Sequence, residues 1–494
     1  MQFGLKTVLA ASAGMTGIGA ASAADLPSRA KGPAVEYVRI CDAQGAGFFF
    51  IPGADTCLKI GGYARADYQF RTVHNVSASR VGGTIFPVAG PKVNSQQSQD
   101  SSGFRARGQI DFDARSETDY GRLRGYVRYR ITQGDGAIVG TNVGGVAGAP
   151  DAQLDQGYVQ WAGITAGRLK SFFDGLGSGP DYPLDSSRAY DSRTQVLAYT
   201  AKFGAGFSAT LSLEDPVARR GATSNGVFGV NAFGPGTPHP IPAGPPFVFV
   251  PALTAPTVTY GGLKYPDVVA SLRVEQDWGM AMLNGAVHQV NTIASTTVGS
   301  ASANKTGWAA LGLIKINLPM LAKGDEVFIQ AVYANGAKSY LGGSSTSNNI
   351  FIGSTAPFGF IRNDVDAVRV NNAVGPGYSL ETSRGYLVQA GITHYWLPNV
   401  FQRFWASYAS LDYGSGVKNI DWRAGGLGRG RDLIVDTNVT WQPVKDLDIV
   451  ADFSYTKMWQ TLAHFPGLAP SVLPAFLNKD ANSFASRLRL QRNF

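Results

Sequence analysis

The sequence lacks the long hydrophobic runs of a helical membrane protein. A transmembrane helix needs about 20 mostly apolar residues, and no run of even about 18 solidly apolar residues occurs. No stretch of convincing length repeats its apolar residues with a helical period either. A membrane protein built of spanning helices is therefore excluded. The mean hydropathy is close to zero, which fits strands whose apolar and polar faces cancel in the average.

Histidine is scarce, and this limits the enzymatic chemistry that the chain can support. The five histidines are scattered, and none forms a local motif with a serine nucleophile. The Gly-Gly pairs at 61–62 and 82–83 lack the context of a phosphate-binding loop. The sequence therefore predicts no catalytic residue, no metal site and no cofactor. A barrel hydrolase is disfavoured because no triad is present.

Cysteine is almost absent, since the chain has two, Cys41 and Cys57. An exported protein meets oxidising conditions, which favour pairing. Gly45 and Gly47 suit a turn, and residues 48–51 suit a strand, so we predict a hairpin closed by a disulfide. Two independent buried thiols are the alternative. A metal site is improbable here because no histidine and no second cysteine pair lie nearby.

The first 23 residues have the pattern of an export signal. Lys6 supplies a positive charge, residues 7–18 are uncharged and moderately apolar, and residues 21–23 read Ala-Ser-Ala, a small-x-small cleavage site. We predict a signal peptide over 1–23, then a leader and the disulfide hairpin over 24–56. A short transmembrane helix is disfavoured because the stretch is rich in Gly, Ser and Thr.

After the hairpin segment, polar and apolar residues alternate with a period of two. From 104 to 115 every second residue is charged or carries an amide, and those between are apolar or small; 58–70 and 122–131 repeat the pattern. Successive strand side chains point to opposite faces. The polar faces carry many charges of one sign, the apolar faces are thin, and short and long connections alternate. These features favour a transmembrane antiparallel β-barrel over 57–494 rather than a soluble sandwich.

Sixteen strands are predicted, although eighteen stay open. They lie near 57–71, 103–116, 121–132, 152–162, 164–170, 193–203, 207–215, 267–277, 279–291, 306–318, 325–337, 382–395, 400–413, 431–443, 447–459 and 482–494. Such a barrel is wide enough for an aqueous channel. The longest connection, 216–266, is rich in proline and is predicted to be an exposed loop. The last strand ends on Phe494, which is typical of outer-membrane barrels and is predicted to act as an assembly signal.

Aromatic and small residues suggest how the outer face is used. The following aromatics at predicted strand ends fit interfacial girdles: Trp161, Trp278, Tyr395, Trp396, Tyr413, Trp441 and Trp459. Ala106, Gly108, Ala114 and Gly125 face outward on early strands and would let another barrel approach closely, so we predict a subunit contact there.

Three segments resemble alphaproteobacterial porins of the rhizobial and Brucella type. They are VEYVRIC (35–41) with GAGF (45–48) and IPGADTCL (51–58), then VQWAGITAGRLKSFFD (159–174), and the ending QRNF (491–494). The resemblance covers essentially the whole mature chain. It implies a 16-stranded, usually trimeric pore in the outer membrane of a Gram-negative bacterium, passing small hydrophilic solutes and ions by passive diffusion. The implied partners are outer-membrane lipid, lipopolysaccharide, the barrel-assembly machinery and further copies of the chain.

The resemblance also implies that the third long loop, 171–192, folds into the lumen and narrows it. Its acidic residues are Asp174, Asp181, Asp185 and Asp191. The facing basic wall is predicted to be Arg65, Arg105, Arg107, Arg124, Arg128 and Arg168, with Arg115, Arg122 and Arg130 near strand ends. Carboxylates facing guanidiniums would create a transverse field that favours hydrophilic solutes and sets ion preference. Alternatively, these arginines cover a soluble sheet or bind lipopolysaccharide phosphates at the rim.

The net charge of +8 could suggest a nucleic-acid partner. Because the charge lies in period-2 strands of an exported chain, we expect none. A substrate-specific channel would need an aromatic track or a localised ligand ring in the lumen, and an adhesin or phage receptor would act through the long loops. A general diffusion pore is the leading hypothesis.

Overall fold

One closed antiparallel barrel of sixteen strands makes up most of the fold. The computed structural model of the chain describes residues 39–74, 79–81, 84–86, 101–135, 150–176, 192–220, 222–224, 239–240, 249–250, 258–296, 299–342, 365–369, 380–412, 427–462 and 480–494. The strands are β1 (Cys57–His74), β2 (Ser102–Thr118), β3 (Gly121–Gly134), β4 (Asp151–Trp161), β5 (Ile164–Lys170), β6 (Arg193–Gly204), β7 (Phe207–Glu214), β8 (Asp267–Gln276), β9 (Gly279–Thr296), β10 (Gly299–Asn317), β11 (Glu326–Asn335), β12 (Arg384–Leu397), β13 (Val400–Asp412), β14 (Leu427–Trp441), β15 (Leu447–Leu462) and β16 (Asp480–Asn493).

The barrel closes where β1 pairs with both β2 and β16. Gly62 and Phe494 complete this seam: each backbone N–H donates to the other's carbonyl, at 3.0 and 3.1 Å. Gly62 has a φ of +154°, and a Cβ there would stand 2.0 Å from the carbonyl oxygen of Gln109. Only glycine therefore fits at this position, because β2 approaches β1 too closely for a side chain.

Each predicted strand overlaps one observed strand, and the count of sixteen is confirmed. Two short strands, Phe49–Phe50 and Val258–Tyr260, extend the same sheet at its rims without adding a crossing. One predicted connection is wrong. β9 and β10 run on until Thr296 pairs with Gly299, where we expected a long loop. The sequence of that extension, 292–305, is rich in Ser, Thr and Ala, so it lacks the alternation of charged and large apolar residues that marks the other strands.

Large apolar side chains lie on the outside of the barrel. On β2, Phe104, Ile110 and Phe112 are exposed, whereas the alternate positions carry charged or amide side chains. Trp161, Trp278, Trp396 and Trp441 are exposed at the end where the connections are short. An apolar outer band edged by aromatics is typical of a transmembrane barrel. No helix among the described residues is long and apolar enough to cross a membrane.

The hairpin before β1 is closed by a disulfide between Cys41 and Cys57, as predicted. A 3-10 turn at Asp42–Gln44 precedes the strand Phe49–Phe50, which pairs with Cys57–Leu58. The hairpin docks on the short-turn end of β2. Arg115 donates to the Gln44 carbonyl at 3.1 Å and covers the Phe48 ring at 4.4 Å. The predicted signal and leader, 1–38, lie outside the described residues.

The apolar core lies inside the barrel, on one side. Buried side chains of β9–β13 meet Phe173, from the third long connection, and the 3-10 turn Lys338–Leu341. Three of them, Leu311, Leu387 and Leu411, are almost completely buried. We call the inner faces of β9–β13 the filled wall.

Candidate functional site

The inner faces of β16 and β1–β3 form a continuous charged surface, which we call the arginine wall. Alternation places Arg65 on β1, Arg105 and Arg107 on β2, and Arg124 and Arg128 on β3. The register sets Arg65 directly opposite Arg107. The structure thus brings five of the six predicted basic residues onto one wall. Their role in lining the constriction remains a proposal.

Arg168, the sixth, is on the outer face, so its prediction is wrong. Ile164 points outward on the same strand, and residues an even number apart share a face. Its cross-strand neighbour on β6 is Gln195, which is exposed and lies on the same face of that strand as the exposed Leu197. Arg168 donates from Nε to the Leu154 carbonyl at 3.1 Å. Only its positive charge suggested a position in the lumen, whereas the alternation of side chains along β5 places it on the outer face.

Carboxylates on the arginine wall itself pair with most of its guanidiniums. Asp67 accepts from Arg105 at 2.5 Å and from Arg489 of β16 at 2.7 Å. Asp113 bridges Arg115 and Arg124, at 2.6 and 2.9 Å. These partners were missed by the sequence reasoning, although alternation puts them on the same face as the arginines.

Two further ion pairs extend this network of charged side chains. Arg128 donates to Asp111 at 2.7 Å, and Arg487 of β16 pairs with Asp452 of β15, also at 2.7 Å. Cross-strand pairing relieves the repulsion that a purely basic wall would suffer.

The opposed pair Arg65 and Arg107 is held by neutral groups. Arg65 donates to Gln491 at 2.7 Å and lies 4.4 Å over the Tyr63 ring. Arg107 donates to Thr132 at 2.9 Å, and no described carboxylate forms an ion pair with it. Two guanidinium groups therefore stand side by side in the middle of the wall.

The third long connection enters the barrel at once. Phe173 is fully buried against the filled wall, and its carbonyl accepts from Asn284 of β9 at 2.9 Å. The Leu176 N–H donates to the Gln330 side chain of β11 at 3.2 Å. Residues 171–176 therefore lie inside the barrel. Residues 177–191, including Asp181, Asp185 and Asp191, lie outside the described residues.

Asp174 does not face the arginine wall across water, and that prediction is wrong. Its side chain has no exposed surface, pairs with Arg219 at 2.6 Å and accepts from the Ser192 N–H at 2.7 Å. Arg219 comes from the 3-10 turn Pro216–Arg219, just after β7. Sequence reasoning missed this partner because the turn belongs to the next long connection.

The pair belongs to a buried network, the anchor cluster, whose members are Asp174, Arg219, Tyr340, Asp267 and His288. The Arg219 guanidinium lies 4.3 Å over the Tyr340 ring, and the Tyr340 hydroxyl donates to Asp267 at 2.7 Å. His288 Nδ1 lies 2.9 Å from Asp267. The cluster ties the third, fourth and sixth long connections to β8 and β9.

Burial of the anchor cluster, together with the charges inside it, shifts the pKa values of its side chains. Burial raises the pKa of Tyr340 well above its ordinary value, and the Asp267 carboxylate raises it further. Burial would lower the pKa of Arg219, but the Asp174 carboxylate reverses this and raises it. Arg219 thus stays charged and Tyr340 stays neutral at any physiological pH.

Tyrosines stand among the guanidiniums of the arginine wall. The Tyr126 and Tyr158 rings stack with centroids 5.2 Å apart. Arg124 approaches both rings, at 5.1 and 5.6 Å, and Arg128 donates to the Tyr126 hydroxyl at 2.7 Å. Within the described part of the chain, no group of three or more His, Cys, Asp or Glu side chains could hold a metal ion.

Comparison with known proteins gives the same architecture. The profile of the family described as "Porin subfamily" matches residues 25–480. A putative outer membrane protein, y4fJ of Sinorhizobium fredii, is 30% identical over 44% of this chain and 55% of its own length. Porin Omp2b of Brucella suis is 30% identical over 42% of this chain and 50% of its own. The chain spans about half the length of these curated relatives.

Among solved structures, the outer membrane channel DcaP of Acinetobacter baumannii is similar in fold. It superposes with a TM-score of 0.53 at 14% identity, over 90% of this chain and 99% of that one.

Proposed function

Because the chain belongs to the porin subfamily, we propose that it forms a passive, water-filled diffusion channel for small hydrophilic solutes and ions in the outer membrane of a Gram-negative bacterium. One observation carries the proposal: the barrel is closed, with apolar side chains outside and a charged wall inside. That arrangement suits lipid on one side and water on the other.

The arginine wall supplies the proposed selectivity. Arg65 and Arg107 stand directly opposite each other on β1 and β2, so an anion or a polar solute would be stabilised there, whereas an apolar solute would have to displace ordered water. Charged rings and walls set ion preference in channels. We propose that Asp181, Asp185 and Asp191 provide opposing charge from the third long connection, and we assign no catalytic role to the protein.

Assembly and partners complete the proposal. We propose a homotrimer with the small outward residues of β2 and β3 at the subunit contact, since Gly108 and Gly125 leave open space around an added Cβ. Phe494, paired with Gly62 at the seam, would be read by the barrel-assembly machinery after removal of the signal peptide. The surrounding partners would be lipid and lipopolysaccharide.

A substrate-specific channel is the second candidate. The stacked Tyr126 and Tyr158, with Arg124 over both rings and Arg128 over the Tyr126 ring, form a localised group of aromatic rings and cations on the lumen wall. Such a group could retain one class of solute, an anion above all. An adhesin or phage receptor finds no support among the described residues.

Conductance of the purified protein in planar bilayers tests these functions. A large, ohmic current that small sugars and organic anions leave unblocked is expected for the diffusion channel. A small current blocked by one solute class at low concentration would favour the specific channel instead. Absence of any current from correctly folded, heat-modifiable protein would refute both. The variant Trp161→Phe, on the outer face, serves as a folding-matched control.

A further inference from the structure

The disulfide hairpin has two turns at the end of the barrel where the connections are short. Residues 42–47, which we call the inner turn, begin with the 3-10 turn Asp42–Gln44. Residues 52–55, which we call the rim turn, lead directly into β1. The inner turn contacts side chains of β1 and β2, so the face on which those side chains lie decides where the inner turn is.

These side chains of β1 and β2 point into the barrel. The arginine wall occupies the odd-numbered positions of both strands, whereas Ile60 and Phe112, at even positions, are exposed on the outer face. The pairing of β1 with β2 runs without a bulge down to Cys57 and Arg115, so the alternation holds to the end of the sheet. Cys57, Lys59 and Arg115 are therefore inward residues.

Three hydrogen bonds hold the inner turn on inward side chains. Arg115 donates to the Gln44 carbonyl at 3.1 Å, and the Gln44 side chain donates to Glu117 at 2.6 Å. Lys59 donates to the Ala46 carbonyl at 3.2 Å. Glu117 is two residues from Arg115 and shares its face. The inner turn therefore crosses the inner face of β1 and reaches β2.

A buried aromatic ring supports this placement. Phe48 directly follows the inner turn and is 4% exposed. The Arg115 guanidinium lies 4.4 Å from the centroid of its ring, and the Lys59 ammonium lies 5.9 Å from it. Phe48 also packs against Cys41 and Cys57. A ring at the mouth of a water-filled barrel is favourable where the chain covers it, and here the inward side chains cover it.

The rest of the hairpin continues the barrel wall. The short strand Phe49–Phe50 pairs with Cys57 and Leu58 at the start of β1. The hydroxyl oxygens of Thr56 and Ser116 are 3.1 Å apart, and both residues adjoin inward positions, so they belong to the outer face. The rim turn thus extends the wall downward, while the inner turn leaves the wall toward the lumen.

Two glycines shape the inner turn. Gly45 and Gly47 have φ values of +103° and +85°, a conformation that favours glycine. A Cβ at Gly47 would stand 3.3 Å from Cε of Lys59, so this glycine also lets the turn lie close to β1. The disulfide closes the loop behind the turn. The inner turn is therefore tethered at both ends and along its length.

We propose that the inner turn forms a second constriction, which narrows the pore at its short-connection end and limits the size of the solutes that pass. This inference rests on the proposed channel function. The third long connection enters from the opposite end and packs on the filled wall, whereas the inner turn lies on β1 and β2. A solute would therefore meet the two segments in series. At the inner turn it would meet the exposed residues Asp42, Ala43 and Ala46.

The test compares two single variants, Ala46→Cys on the inner turn and Ala54→Cys on the rim turn. Both alanines are exposed and belong to the same hairpin, so the second variant is the matched control. Each protein is treated in a planar bilayer with a compact maleimide that carries two sulfonate groups. The same reaction in detergent, followed by intact mass measurement without reductant, verifies a single label and a retained disulfide.

Labelling of Ala46→Cys should reduce the single-channel current in discrete steps, because the label stands in the mouth of the pore. Labelling of Ala54→Cys should leave the current of the parent. The recordings use 1 M salt, where the screening length is about 3 Å, so a loss of current reports the bulk of the label and not its charge.

A release variant provides a second measurement without any label. Gln44→Ala combined with Lys59→Met removes two of the hydrogen bonds that hold the inner turn. In liposome swelling with sugars of increasing size, this variant should admit the larger sugars faster, relative to the smallest sugar, than the parent does. Thr56→Ala, which removes the hydrogen bond of the outer face, should keep the ratios of the parent.

Several results would overturn the inference. They are an unchanged current after labelling of Ala46→Cys, equal losses of current in both labelled variants, resistance of folded Ala46→Cys to the label, and parental sugar ratios in the release variant. If the parent conducts while one of these results is found, the second constriction alone fails. If folded parent protein neither conducts nor admits sugars, the channel function fails, and this inference fails with it.

Discussion

The arginine wall and the filled wall use the inside of one barrel in opposite ways. On the arginine wall, inward positions carry charges that pair across strands, as Asp67 does with Arg105. On the filled wall, inward positions such as Leu311 and Leu313 are apolar and covered by Phe173. An inward apolar row in a water-filled barrel would be unfavourable. Its presence therefore shows where the chain itself fills the lumen.

The two walls also differ in the contacts that stabilise them. The arginine wall is stabilised locally, by partners on neighbouring strands. The filled wall depends on distant segments, because Phe173 and Tyr340 reach it from the third and sixth long connections. Loss of one buried contact should consequently have larger effects on the filled wall than on the arginine wall.

Breaking the anchor cluster should have the largest effect. Arg219→Met leaves the Asp174 carboxylate buried without its cation, and breaking a buried ion pair costs about 3–5 kcal/mol. We expect that loss in urea unfolding of the protein in lipid vesicles, together with a larger and noisier conductance. Adding Asp174→Leu should recover most of the stability, because two apolar residues can replace a buried pair. If the single variant is as stable and as quiet as the parent, the cluster does not hold the connections.

Removing the disulfide should have the next largest effect, on the other side of the barrel. A disulfide closing a loop of 16 residues stabilises by about 3 kcal/mol in the chain-entropy model. In the double variant Cys41→Ser and Cys57→Ser, the hairpin should become sensitive to protease while the barrel stays intact. Intact mass after alkylation without reductant is the companion measurement, and alkylation of both thiols in the parent would contradict the pairing.

Alkaline pH should weaken the filled wall selectively. The pKa of Tyr340 is raised in the folded protein, so its contribution is complete below the ordinary tyrosine pKa of about 10 and is lost as pH rises above it. Tyr340→Phe should lower stability at neutral pH by about 1–3 kcal/mol, since Asp267 loses a buried donor. It should also flatten the decline above about pH 10. The outward Tyr333→Phe is the control, and equal slopes in all three proteins would exclude Tyr340 as the source.

The smallest change in stability and the clearest change in transport should come from the arginine wall. Replacing Arg65 and Arg107 by glutamine removes two positive charges from the inner wall, so the reversal potential across a salt gradient should shift toward cations. The screening length falls from about 10 Å at 0.1 M salt to about 3 Å at 1 M, and the shift should shrink accordingly. Arg168→Gln, on the outer face, should leave the potential unchanged. A shift from Arg168→Gln equal to that of the inner pair would refute the inside–outside assignment.

Much of the barrel could be predicted from the sequence because alternation is a local property. All sixteen strands were found, since one polar and one apolar face repeat over each span. The prediction failed where that signal is absent, as in the extension of β9 and β10 up to Thr296 and Gly299, whose sequence is rich in Ser, Thr and Ala. It also failed for Arg168, whose positive charge suggested a position in the lumen although the alternation of side chains along β5 places it on the outer face.

The site was less predictable because its partners are distant in sequence. Arg219 and Asp174 are 45 residues apart, and Asp267 and Tyr340 are 73 apart. No spacing rule joins such residues, since long connections bring them together. The carboxylates of the arginine wall could have been found, because Asp67, Asp111 and Asp113 share the parity of its arginines.

Closure of the barrel depends on the last strand of the chain, because β16 is one of the two neighbours of β1. Arg65 and Gln491, hydrogen-bonded at 2.7 Å, are separated by 426 residues. β1 therefore emerges first and must wait, with one edge unpaired, until the last strand arrives. Unpaired strand edges are templates for aggregation, and contacts this remote form slowly. Truncation anywhere before β16 would leave β1 paired with β2 alone, with its other edge exposed.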